Sequence, residues 1–190
     1  MGPTYDALVE AAGSLMDAGG LEAVTLREVG HAVGLSHNAP YKHFQDKQAL
    51  LAAVAARELT YRSAALDEVR EKHGSDAETI RAALHGYVAW ALARPVRFKL
   101  VYGPWTRGSA ELDAAARAAR GRLAQIVTGA QQEGYLPPGD PERMMALLLA
   151  LAHGAVDLAL SGHLANWSDR SSPDDLVDDL LTQLAVAARC

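Results

Sequence analysis

Cysteine is almost missing: the chain has one in 190 residues, Cys190. A single thiol excludes an internal disulfide framework and a cysteine-based zinc site, and a chain so poor in cysteine is expected in a reducing cytoplasm. Aromatic residues make up only 6%, and no credible strand pattern occurs. There is no glycine-rich phosphate loop, no nucleophile elbow and no HExxH spacing. The seven histidines and 23 acids form no spacing that implies a reaction, so no enzyme activity, cofactor or metal is expected. Residues 1–10 lack the basic and apolar regions of a signal peptide. The most apolar stretch, residues 144–156, contains His153 and is followed by Asp157; it reads as too short and too polar to span a membrane, and no membrane partner is expected. Positive charge is also scarce. Eighteen Lys and Arg face 23 Asp and Glu, a net charge of −5, which taken alone counts against nucleic-acid binding.

What is present is helical. Hydrophobic residues make up 49% and mean hydropathy is −0.03, values of an ordinary globular protein. Abundant alanine, with Gly and Pro at intervals, predicts an all-α fold of about nine helices. Tyr5, Leu8, Val9, Ala12, Leu15 and Met16 repeat at helical spacing until Gly19-Gly20 stops the helix. Thr25 and Glu28 form a capping-box signature, flanked by Val24 and Val29 at the staple positions. The helix that follows ends at Gly34, Leu35 is expected as a buried pivot, and Ser36 as the next N-cap. Pro40 falls in the first turn of the short segment after it, where a missing N–H costs least. Asp46 caps a long helix carrying Leu50, Leu51, Val54 and Leu59. Ser75 with Glu78 repeats the capping box, and Arg94-Pro95 ends that helix. A short aromatic stretch over residues 98–105 precedes an Ala-rich helix over about 109–133. Asp140-Pro141 opens a helix to about Leu164, and Ser172-Pro173-Asp174-Asp175 opens the last.

Three tightly joined N-terminal helices, the last two separated only by Gly34-Leu35-Ser36, form a helix-turn-helix over residues 24–43. Such a motif leaves its second helix free for a major groove. His37, Asn38, Lys42 and His43 face outward while Leu35 and Phe44 face in. Asn38 suits an adenine edge and Ala39 a thymine methyl. Tyr41, Lys42 and Lys47 suit phosphates, as does Thr25 at its helix start. Residues 1–47 hold three cations (Arg27, Lys42, Lys47) and six anions (Asp6, Glu10, Asp17, Glu22, Glu28, Asp46). All three cations lie in residues 27–47, together with His31, His37 and His43. The DNA-contact candidates are therefore Thr25, Arg27, Ser36, His37, Asn38, Ala39, Tyr41, Lys42, His43 and Lys47.

The run Val33-Gly34-Leu35-Ser36-His37-Asn38-Ala39-Pro40-Tyr41-Lys42-His43-Phe44-Gln45-Asp46-Lys47-Gln48-Ala49-Leu50-Leu51 resembles the signature of TetR-type (TetR/AcrR) transcriptional regulators, and the likeness covers residues 5–59. The remainder resembles the C-terminal domain type called WHG, through Arg97-Phe98-Lys99-Leu100-Val101-Tyr102-Gly103 and Ala152-His153-Gly154, with Leu149 where that pattern has a Trp. The resemblance implies two modules. Residues 1–61 would read double-stranded operator DNA; residues 62–190 would bind a small-molecule effector and form a homodimer. It also implies a repressor, released when the effector moves the helix that opens at Asp46 and respaces the reading heads. Trp90, Phe98, Tyr102, Trp105, Met145 and His153 are candidates for the effector pocket, though clustered aromatics are more often core. Dimerisation is expected on the last two long helices, whose apolar content exceeds what one core needs. Gly154 suits close helix approach there, and His153 with Asp157, one turn apart, suits a hydrogen-bonded core or interface pair. The rival reading is a helical small-molecule-binding protein or enzyme that has lost DNA binding, and the acidic balance is what favours it.

Overall fold

The computed structural model describes residues 2–36, 38–105, 108–166 and 172–189. His37 and Cys190, both singled out above, lie outside the described residues. Among those described run eight α-helices and three short 3-10 turns, with no strand. The helices are α1 (Pro3–Gly19), α2 (Leu26–Ala32), α3 (Lys47–Lys72), α4 (Asp76–Ala93), α5 (Pro95–Tyr102), α6 (Ala110–Gln132), α7 (Pro141–Leu160) and α8 (Pro173–Ala187). The all-α expectation holds. The segment expected as a helix after Ser36 is a single 3-10 turn, Pro40–Lys42, because its His, Asn and Tyr are weak helix formers and Asp46 already caps α3. The aromatic stretch belongs to α5, which begins at Pro95, where a fixed φ suits the first helical position.

The chain divides into two compact units: Met1–Arg62 with Arg94–Ala118, and Ser63–Ala93 with Ala119–Cys190. The core of the first contains Leu8, Val9, Ala12 and Met16 of α1, Val24, Leu26 and Val29 around α2, Phe44, and Leu50 and Val54 of α3. Burying each large side chain here stabilises by about 2 kcal/mol. Arg97 of α5 adds a charged knot. Its guanidinium meets Asp17 of α1 through two bonds, Nε to Oδ1 at 2.8 Å and Nη2 to Oδ2 at 2.7 Å, and Nη1 donates to Glu58 of α3. The Glu58 side chain is 3% exposed. Burial opposes the charge on Arg97, but the bonds to Asp17 and Glu58 outweigh it and hold the guanidinium protonated above its usual range. Gly13 makes room for this: a Cβ there would stand 2.9 Å from Arg97 Nη2. A second tie runs from Tyr5 of α1, whose hydroxyl donates to Glu111 of α6 at 2.5 Å. Burial first, then that hydrogen bond, pushes the Tyr5 pKa well above the ordinary tyrosine value.

In the second unit α4, α7 and α8 pack on one another, burying Ile80, Leu84 and Val88, Leu148, Ala152 and Val156, and Val177 and Leu181. Ser75 caps α4 as expected, its Oγ accepting the Glu78 amide at 3.2 Å. The return half of that box is replaced by Glu133, whose carboxylate takes the Asp76 and Ala77 amides at 2.9 and 3.0 Å. Ser172 and Asp175 form a complete box on α8, and the Ser172 bonds hold the Asp175 carboxyl below the usual carboxylate range. Helix α7 stops at Leu160 rather than near Leu164, because Gly162 turns the chain at φ 75°. It is 20 residues long, its most apolar 18-residue stretch has a mean hydropathy of 1.6, and it is long and apolar enough to cross a membrane by length and composition. The 13-residue stretch judged too short above therefore underestimates this helix. One third of its most apolar window is buried, and its open side carries Leu147, Ala150, Gly154 and Asp157.

Candidate nucleic-acid interface

The helix-turn-helix is built locally. The Thr25 hydroxyl accepts the Glu28 amide at 3.1 Å, and the staple residues Val24 and Val29 are fully buried. The carboxylate half of this capping box is not made; Glu28 stays exposed. Gly34 takes φ 70°, donates to the His31 carbonyl at 3.0 Å, and lets Leu35 donate to Gly30 at 2.9 Å. This is the glycine-ended helix the sequence predicts. Leu35 is half-buried rather than a buried pivot. Pro40 takes the buried place instead, and a Cβ on Gly30 would stand 2.8 Å from its Cγ. Ser36 also differs from expectation. Its carbonyl, not its hydroxyl, accepts the Ala39 amide at 3.0 Å, because the following turn begins at Ala39.

One turn of chain then presents the candidate reading residues. The Phe44 amide donates to the Pro40 carbonyl at 2.9 Å, and Phe44 is 3% exposed. That anchor leaves Asn38, Tyr41, Lys42 and His43 exposed, Tyr41 at 57%, with Ala39 half-buried. Thr25 and Arg27 are exposed as well. Lys47 differs from its neighbours: its ammonium donates to the Leu21 carbonyl at 2.7 Å. The Tyr5 ring stands 5.0 Å from Phe44 and 6.3 Å from His43, so α1 buttresses this turn directly.

The acids that weigh against DNA binding are largely occupied. Arg57 of α3 pairs with Asp6 at 2.5 Å and Glu10 at 3.7 Å, and Arg97 holds Asp17. Asp46 caps α3 by accepting the Ala49 amide at 2.9 Å. Four of the six anions in residues 1–47 are thus engaged within the first unit, three of them by arginines that lie beyond residue 47. Sequence reasoning missed Arg57, Arg97, Gly13 and the Tyr5–Glu111 tie. A glycine inside an otherwise amphipathic helix was the available signal.

The six effector candidates are shared between the two units. Phe98, Tyr102 and Trp105 belong to the first unit, and Trp90, Met145 and His153 to the second. Phe98 is 1% exposed and stacks at 5.6 Å on Tyr102, which is 42% exposed. Met145 is buried, and Trp90 is 6.3 Å from the Tyr87 ring. The Tyr87 hydroxyl meets His153 Nδ1 at 3.0 Å, while Asp157 is exposed. Trp105 lines a cleft of about 380 Å³ in the first unit. A second cleft, about 370 Å³, lies in the other unit beside His73, Glu78, Arg81, His85 and Tyr135. Two of its side chains are engaged by Asp178, which accepts from Arg81 at 2.7 Å and meets His85 at 3.0 Å.

Comparison with known proteins adds to this. Residues 8–54 match the family model described as bacterial regulatory proteins, tetR family. Residues 80–184 match the one described as tetracyclin repressor-like, C-terminal domain. A search of curated proteins finds no match. Among solved structures, a protein with unknown function from Rhodococcus sp. RHA1 is 30% identical, with 98% of this chain and 96% of that chain covered and a TM-score of 0.83. The RolR complex with its ligand resorcinol is 20% identical, covering 98% and 91%, with a TM-score of 0.72. A transcriptional regulator of the TetR/AcrR family from Thermobifida fusca is 21% identical, covering 97% of both chains, with a TM-score of 0.68. The last two likenesses show a shared fold.

Proposed function

The chain belongs to the TetR (tetracyclin repressor-like) family of regulatory proteins, and from that premise we propose that it represses transcription by binding a double-stranded operator as a homodimer and is released by a small-molecule effector. One observation carries the reading: an anchored turn, pinned by Pro40 and Phe44, that holds Asn38, Tyr41, Lys42 and His43 outward. In this assignment Asn38 and Ala39 read base edges, and Thr25, Arg27, Tyr41 and Lys42 hold phosphates. Residues 1–61 form the reading module and residues 62–190 the sensing and dimerising one. RolR, solved with resorcinol, is a precedent for the fold holding a small ligand. A bacterial regulator of this family meets its DNA in the cytoplasm.

The dimer seam we assign runs along α7 and α8. Leu147 and Val186 are 56% and 57% exposed, an unusual exposure for large apolar side chains on adjoining helices. A Cβ on Gly154 would meet nothing within 4 Å of its own chain, so the glycine serves no contact there and suits a second copy. His153, engaged by Tyr87, supports this helix from within. The rival reading rests on the acidic balance, and the engagement of Asp6, Glu10 and Asp17 by Arg57 and Arg97 weakens it. Mobility shift on DNA from upstream of the gene tests the proposal. A retarded complex whose stoichiometry is two chains per site supports it; no retardation on any such fragment at low salt overturns it.

A further inference from the structure

Tyr5 touches two regions at once. Its hydroxyl donates to Glu111 Oε2 at 2.5 Å. Its ring lies against the end of the reading turn, 5.0 Å from Phe44 at a tilt of 32° and 6.3 Å from His43 edge-on at 67°. Both separations are those at which aromatic rings attract. All four residues belong to the first unit. The acceptor is a carboxylate, which makes the bond stronger than one between neutral groups. Burial, then this bond, raises the Tyr5 pKa, so the hydroxyl stays a donor.

The bond to Glu111 does not have to dock α1. The next residue does that: Arg57 of α3 donates to the Asp6 carbonyl at 2.9 Å and to its carboxylate at 2.5 Å. What Glu111 adds is the direction of the Tyr5 ring. A tyrosine ring swings about its side-chain torsions, and fixing the far end removes that freedom. The two neighbours of the ring differ in how far they can respond. Phe44 is 3% exposed, and its amide is tied to the Pro40 carbonyl. His43 is exposed, so a ring released from Glu111 is felt first there.

We infer that Glu111 is a positioning residue for DNA reading: through the Tyr5 hydroxyl it fixes the ring on which His43 and Phe44 rest. Glu111 lies in the first turn of α6, in the part of the chain assigned above to sensing. The start of α6 is thus joined to the reading turn by side-chain contacts, and any displacement that breaks the Tyr5 bond loosens His43. The consequence for DNA rests on the function proposed above; the hold on His43 does not.

Fluorescence anisotropy with the full chain on labelled upstream DNA reads the first. Tyr5→Phe and Glu111→Ala each lower affinity roughly three- to tenfold. The double variant loses no more than either alone, because both remove one interaction. Glu111→Gln, whose amide oxygen still accepts, restores binding to within about twofold. The salt slope stays native throughout, since no phosphate contact is removed. Native affinity in Glu111→Ala, or losses that multiply in the double variant, overturns the role in reading. The His43 ring resonance in the free protein, assigned by its loss in His43→Gln, reads the second. It shifts alike in Tyr5→Phe and Glu111→Ala and returns in Glu111→Gln. A resonance that neither Tyr5→Phe nor Glu111→Ala moves overturns the positioning. A native chain that binds no DNA counts against the regulator reading alone, and the His43 resonance still decides whether Glu111 holds the turn.

Discussion

The two units place their ion pairs differently. The first buries one: Arg97 joins α1, α3 and α5 through Asp17 and the enclosed Glu58, while Arg57 pairs with Asp6 and Glu10, and Tyr5 reaches Glu111. The second keeps its ion pairs nearer the surface, Arg81 with Asp178 and Arg122 with Asp67, around the apolar packing of α4, α7 and α8, and it leaves apolar side chains such as Leu147 and Val186 in the open. A net charge over a segment is therefore a poor guide to the field at its surface. The acids of residues 1–47 look unfavourable for DNA until their distant arginines are in place.

The contrast breaks most visibly at Gly154. Glu at this position puts a charge on the apolar seam, so light scattering should show monomers, with operator affinity down on the order of a hundredfold as the two half-sites uncouple. Persistence of dimers would move the seam elsewhere. Next in size is Arg97→Ala, which strands Glu58 as a buried, uncompensated carboxylate and should cost about 3 kcal/mol. Hydrogen exchange should place the loss in α1 and α5, with α7 and α8 keeping their protection. Equal loss in both units would mean that the charged knot is not specific to the first.

Smaller effects sharpen the reading face. Lys42→Ala should weaken binding by roughly 1 kcal/mol on every sequence and reduce the salt slope by about one, while Asn38→Ala should relax base preference at one operator position. A uniform loss for Asn38→Ala would remove its base-reading role. The smallest contrast is in pH. Tyr5 has a raised pKa in the folded chain, so its contribution is complete below its unfolded value of 10.0 and is lost as pH rises beyond it. Asp175 has a lowered one, so its contribution is present above its unfolded value of 3.8 and is lost as pH falls through the folded value. Tyr5→Phe should therefore flatten the alkaline limb of a stability profile, and Ser172→Ala the acid limb, each leaving the other limb in place.

Local chemistry made most of the fold legible. The caps at Thr25, Asp46, Ser75, Asp140 and Ser172 mark where helices begin, and the glycines at 20 and 34 mark where they end, because each needs only near neighbours. The outward row from Asn38 to His43 was legible for the same reason. Leu35 and Ser36 were misplaced because Pro40, packed against Gly30, took the buried position instead. The knot at Arg97 was illegible: its partners stand 80 and 39 residues away, and no periodicity in the chain encodes that meeting. The effector candidates had no such local mark, since an aromatic residue does not show which unit it will join.

The central claim is that the turn from Asn38 to His43 holds operator DNA in a two-chain complex. Fluorescence anisotropy of labelled upstream DNA, titrated with the native chain and with Lys42→Ala from low to physiological salt, tests it most directly. The account predicts saturable binding at two chains per site, a steep loss of affinity with salt, and a shallower slope for Lys42→Ala. Isotherms that do not change with salt, or identical slopes for the two proteins, would contradict it.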